Sequence, residues 1–184
     1  MKLHKEALNA SYENRYFLKR TFSDVLGIHG INHCSINILS PNDEIMFFSS
    51  TPGHAFEICS RNLHHNDPII NPCNFKNKKR YSWYDANSEN TLKELELAEI
   101  RERVFNFHGG FVLVRNLSGF IIMYSYAFSE NSNELEERSY ENENVFYAIG
   151  DWVCDKIKNL YQQYNNIDTP LKRDMNSNIL FMKP

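Results

Sequence analysis

The residues most suited to chemistry lie in Asn66-Asp67-Pro68-Ile69-Ile70 and, shortly after, Arg80-Tyr81-Ser82-Trp83-Tyr84. They place a carboxylate and an indole in one loop-rich segment flanked by apolar, strand-like runs. A carboxylate beside an aromatic wall can fix the polar head of an otherwise apolar ligand in a small cavity. A buried carboxylate needs a donor, and a ligand N–H supplies one. A plainer reading stands beside this one. Asp before Pro also caps or holds a turn, and Trp83 can equally be a core or rim aromatic.

Other groups invite other chemistry. His54, Cys59, His64 and His65 suggest a metal, but no HExxH or paired-cysteine spacing is present. On a helix His54 shares its face with Ile58 rather than with Cys59 or His64. No metal and no cofactor are therefore expected. Cys59 near His54 or His64, and Cys34 next to His33, form thiol–imidazole neighbourhoods. GxSxG, P-loop and GxGxxG patterns are absent, so no catalytic residue is assigned and an enzyme is not expected. A thiol enzyme using Cys59 is the third-ranked reading. Lys76, Lys78, Lys79 and Arg80 lie beside Phe75, Tyr81 and Trp83, an interleaving that suits single-stranded nucleic acid. The run is short and the chain carries a net charge of -3, so a solvated loop is preferred and direct DNA binding is not expected.

The elements that position these residues follow from pattern. With 184 residues, 42% of them hydrophobic, the chain can build one domain around a single core. Thirteen Phe and ten Tyr supply both core filling and pocket lining. Apolar runs are too short to span a membrane, and Met1–Glu6 leads into a polar stretch without the apolar core of a signal peptide. A cytoplasmic setting is expected. Cys34, Cys59, Cys73 and Cys154 are scattered, which suits free or buried thiols.

Residues 6–26 read as a helix, 31–39 and 44–49 as a hairpin around Pro41-Asn42-Asp43, and 52–63 as a second helix. Asp67-Pro68 marks a turn. The stretch 69–77 looks irregular and 80–84 a short strand or ordered loop. Ser88 or Asn90 can cap a helix running to Phe107. A second hairpin spans 111–114 and 120–128, and 131–144 reads as an acidic loop. Val145, Ile149, Trp152, Val153, Ile157 and Leu160 then recur at helical spacing. Short turns between strands favour an antiparallel sheet covered by helices. The expected class is α+β, an α-β-α sandwich of the PAS and GAF kind, over residues 1–164, with 165–184 a polar tail.

Leu26-Gly27, the strand pair, Asp67-Pro68, Trp83 and Gly110-Phe111 occur in an order and spacing that resembles the autoinducer-binding domain of LuxR-type quorum-sensing regulators, over roughly residues 15–162. In that family the Asp accepts a hydrogen bond from the amide of an acyl-homoserine lactone and the loop Trp packs near the lactone. The resemblance gives these roles to Asp67 and Trp83. The family's Trp and Tyr on the preceding helix have no counterpart in His54-Ala55-Phe56-Glu57-Ile58-Cys59, leaving His54 as a donor and Phe56 as a wall. Tyr81 is placed at the head-group end, with Phe105, Phe111 and Ile122 at the tail end. The resemblance implies a regulator that binds a small apolar signal without chemistry and acts on transcription through a partner. With so few residues after the last helix, no helix-turn-helix is expected within the chain. Trp152 on the last helix suggests a dimer surface for a second copy or a full-length regulator. The alternative is a module that has kept the fold, lost the ligand, and sequesters a partner by dimerising with it.

Overall fold

The computed structural model describes residues 1–76, 78–86, 91–129, 137 and 139–165. Six strands, β1 (Lys2–Leu3), β2 (His33–Leu39), β3 (Glu44–Ser49), β4 (Arg80–Ser82), β5 (Gly109–Leu117) and β6 (Phe120–Phe128), form one sheet in the order β1-β3-β2-β6-β5-β4. All pairings are antiparallel except β1 with β3. That parallel edge strand was not expected, because two residues are too few to show alternation. The helices are α1 (Ala7–Glu13), α2 (Arg15–Ser23), α3 (Pro52–Ser60), α4 (Pro72–Phe75), α5 (Leu92–Glu99) and α6 (Glu143–Asn165). The layout is the expected α-β-α sandwich. No described helix is long and apolar enough to cross a membrane.

Register divides the sheet into two chemically different faces. Cys34, Ile36 and Ile38 on β2 stand opposite Tyr126, Tyr124 and Ile122 on β6. With Met46, Phe48 and Phe111 they form a buried apolar face packed against Leu18, Phe22, Phe146, Ile149, Val153 and Ile157 of α2 and α6. The intervening residues face the other way. Ser35 pairs with Ser49 and Ser125, and Asn37 with Phe47 and Met123. Side chains alternate with period two, so a polar residue at every second position of β2 puts polar groups under one helical layer only.

α6 is fixed to the apolar face by close fit and by charge. A Cβ at Gly150 would lie 2.1 Å from the Tyr124 ring. The Tyr124 hydroxyl donates to Asp151 at 2.6 Å, and Arg115 donates to both Asp151 oxygens at 3.2 and 2.8 Å.

Several boundaries differ from the sequence reading for local reasons. The first helix breaks at Asn14, whose side chain donates to the Ala10 carbonyl at 2.9 Å and competes with the backbone. α3 ends at Ser60, before Asn62 takes a left-handed φ of 54°. The irregular stretch holds the one-turn α4. Ser88 and Asn90 lie outside the described residues, and α5 is capped by Thr91 through a capping box with Glu94. α5 then passes into a five-residue π-helical turn, Ile100–Val104, instead of continuing as α-helix to Phe107. Half of the acidic stretch 131–144 and nearly all of the tail also fall outside the described residues, and of the stretch read as a loop 139–141 and 143–144 are helical.

Candidate functional site

A cavity of about 60 Å³ (the space open to the centre of a water molecule) lies between the polar sheet face and the layer formed by α3, the 64–70 segment and the π turn. The sheet contributes His33, Ser35, Asn37, Phe47, Ser49 and Ser125. The opposite wall is His54, Ala55, Ile58, Cys59, His64, Asp67, Ile69, Ile70, Trp83 and Arg101.

Asp67 is placed by turn chemistry. It caps the single 3-10 turn Pro68–Ile70, its Oδ1 accepting from the Ile69 backbone N–H at 2.9 Å. Its Oδ2 accepts from Arg101 Nη2 at 2.5 Å. Both side chains are about nine-tenths buried, so this is a desolvated ion pair. Arg101 lies buried in the π turn that follows α5; such turns recur at functional sites. The Phe107 N–H donates to the Arg101 carbonyl at 2.8 Å and holds the exit of the turn.

Trp83 is positioned by Gly110. A Cβ there would stand 2.7 Å from the indole and 2.2 Å from the Tyr126 carbonyl oxygen, so only glycine lets the ring lie on β5. The Trp83 N–H of the backbone donates to the Gly110 carbonyl at 2.9 Å. The Arg101 guanidinium sits 5.2 Å from the centre of the indole ring.

Three histidines complete the wall, and their surroundings keep them neutral. His33 is fully enclosed, its ring 4.4 Å from that of Phe107 and its Nδ1 3.1 Å from the Thr51 hydroxyl. Burial, helped by the charge of Arg101, depresses its pKa to about 3. Burial, then His33 and Arg101, hold His54 well below the ordinary range. Burial and His65 lower His64, against an opposing pull from Asp67. Burial and the neighbouring Asp67 push the Cys59 thiol up to about 12, the reverse of what a nucleophilic thiolate requires.

Four cavity residues carry buried polar atoms with no hydrogen-bond partner among the described residues: His54 Nε2, both ring nitrogens of His64, Trp83 Nε1 and Arg101 Nε. Buried polar groups are nearly always satisfied, so these five atoms in one cavity wall call for polar partners there.

No protein-family model matches the sequence, and no curated protein matches it. Solved structures do match the fold. SdiA from Escherichia coli superposes with a TM-score of 0.55 at 15% identity, over 87% of this chain and 65% of that one. The N-acylhomoserine lactone dependent LuxR-family transcription factor CepR2 from Burkholderia cenocepacia superposes with a TM-score of 0.54 at 9% identity, over 88% of this chain and 99% of that one. The fold is that of LuxR-type autoinducer-binding regulators. The chain spans just under two thirds of the SdiA chain's length.

Within this autoinducer-binding fold the residues expected from sequence separate into three groups. Asp67, Trp83 and His54 do meet in the cavity wall. Tyr81 and Phe105 lie one layer behind it. The Tyr81 hydroxyl donates to the Ile69 carbonyl at 2.5 Å and anchors the Asp67 turn. Phe105 packs edge-on to His54 with ring centres 5.0 Å apart. The other three lie elsewhere. Phe56 is 53% exposed and lines a separate surface groove with Leu8, Tyr12 and Pro52. Phe111 and Ile122 point to the opposite, apolar face of the sheet, where Phe111 meets Phe146 edge-on at 5.0 Å. Their neighbours Val112 and Met123 share the face of Ser125 and Asn37, so a one-residue shift in register separates the two sets.

The sequence reading missed Arg101 and the polar floor of the cavity. A signal for Arg101 was present: it falls four residues after Leu97, on the buried stripe of α5, where a charge needs a partner. Arg80 is also committed to structure. Its guanidinium stacks over Phe111 and Tyr140 at 4.3 and 3.6 Å and donates to Ser139, which removes it from the basic run considered for nucleic acid. Among the described residues no three His, Cys, Asp or Glu side chains group as metal ligands do.

Proposed function

We propose that this chain is a small-molecule-sensing regulatory domain, its ligand held in the cavity between the polar sheet face and the α3–π-turn layer. The observation that carries the reading is the set of unpartnered buried polar atoms converging on one cavity. The ligand is a compact, largely apolar signal, an acyl-homoserine lactone or a related compound, and CepR2, of the same fold, is lactone dependent. Binding stabilises one state of the cavity wall and needs no bond making or breaking. The consequence passes to transcription through a partner, a second copy or a longer regulator, docked along α6 beside the partly exposed Trp152.

A specific observation favours a second reading. Asp67 is already paired with Arg101, so the carboxylate that would hold a ligand N–H is satisfied from within. A domain that has dispensed with its ligand and only sequesters a partner would look like this. Thermal shift and native mass spectrometry against a panel of acyl-homoserine lactones and fatty-acid-like compounds separate the two. A sensor gains about 2.7 kcal/mol of stability at a ligand concentration a hundredfold above Kd and shows a bound mass. Silence across the whole panel, with a stable dimer in the same spectra, supports the sequestering module.

A further inference from the structure

Resting on that sensor reading, we infer that the cavity recognises its ligand through an oxygen acceptor, a carbonyl or carboxylate, and not through a ligand N–H. Both Asp67 oxygens already accept a hydrogen bond and its charge is paired with Arg101. What lacks a partner is mostly donors. Trp83 Nε1 and Arg101 Nε can only donate. The neutral ring of His64, with both nitrogens unpartnered, offers one donor and one acceptor, and His54 Nε2 takes either role by tautomer. Ser35 and Ser125, from the sheet floor, can also turn a hydroxyl hydrogen toward an acceptor. A donor-only head group would leave Trp83 Nε1 and Arg101 Nε without a partner. An acceptor gives a fixed donor in this wall its missing partner and leaves the Arg101–Asp67 pair intact.

An uncharged carbonyl fits best, because Arg101, the one cation among the described wall residues, is already balanced and a buried anion without a counter-charge is costly. The cavity's small volume adds a second condition, a compact head with a short apolar tail.

The test is isothermal titration calorimetry of the whole chain with three eight-carbon probes: γ-octalactone (neutral, acceptor only), octanoate (anionic, acceptor only) and 1-octylamine (donor only as its ammonium ion). The expected result is binding of γ-octalactone, no binding of octylamine, and about tenfold weaker lactone binding in Trp83→Phe, which keeps the ring and loses one hydrogen bond to the ligand. Arg101→Lys keeps the charge opposite Asp67 but removes Nε–H, and weakens the lactone similarly. Tighter binding of octanoate than of the lactone keeps the acceptor assignment and makes the ligand an acid. Octylamine binding as tightly as the lactone, or lactone binding indifferent to both substitutions, overturns the inference and leaves the sensor reading standing. Binding of none of the three overturns both.

Discussion

At the scale of single residues, the Asp67–Arg101 pair determines what the cavity can do. A carboxylate alone in this wall would lack a donor, whereas the pair has met that need internally and left other donors of the wall without a partner. It also makes each partner indispensable to the other. Removing Arg101 alone strands a buried carboxylate, and Arg101→Ala is expected to cost about 3–5 kcal/mol. Removing both ends leaves no buried charge, so Asp67→Ala with Arg101→Ala should cost clearly less than the two single losses added together. Urea unfolding of the four proteins measures this. An additive double variant would mean that the two side chains do not act as a pair. Asp67 was visible in the sequence because Asp before Pro has a definite turn chemistry. Arg101 showed only as a charge four residues after Leu97; its pairing with Asp67, 34 positions away in the sequence, is set by the fold and by no spacing rule.

At the scale of elements, the sequence showed the hairpins and α6 well and the ends of helices poorly. β3 and β6 match the expected ranges because β-branched and aromatic residues end abruptly at Pro, Gly or Ser turns. Helix ends were decided by single side chains, Asn14 turning back on Ala10 and Thr91 closing a capping box, and these act beneath the level of periodicity. Face assignment failed at Phe111 and Ile122 for a related reason. β5 and β6 are apolar on both faces, so hydrophobicity does not show which residue looks at the cavity. Gly110 does show it, once the neighbouring indole is known. Gly110→Ala pushes a methyl into the Tyr126 carbonyl and the Trp83 ring, and an overpacked site of this kind is expected to cost about 1–3 kcal/mol. In a Trp152→Phe background, where Trp83 is the sole indole, its fluorescence should shift toward that of a solvated tryptophan. An unchanged spectrum with lowered stability would place the strain in the β5–β6 ladder and not at the cavity.

At the scale of the whole molecule, the sheet divides its labour. One face, with Tyr124, Tyr126, Phe111 and Ile36 under α2 and α6, carries the apolar burial that holds the domain together. The other face sets His33, Ser35, Asn37, Ser49 and Ser125 beneath a cavity, an arrangement that sacrifices burial for polar recognition. The cost of that arrangement becomes visible in acid. His33, His54 and His64 all have pKa values lowered in the folded state, chiefly by burial. Below the ordinary histidine pKa the unfolded chain takes up protons that the folded chain refuses, so stability is complete above about pH 6.5 and falls as the pH drops. For His33, whose folded pKa is about 3, the fall continues down to that value. Between pH 7 and pH 5 this one residue accounts for a loss of about 2 kcal/mol. His33→Asn removes the titration and should flatten the dependence of unfolding free energy on pH by that amount, whatever it does to stability at pH 7. A slope unchanged by the substitution would show that His33 takes up its proton equally in the folded and unfolded protein, and so contributes no pH dependence. A ligand that fills the cavity keeps these rings dry, so its stabilising effect should persist at pH 5, where the free protein is weaker than at pH 7.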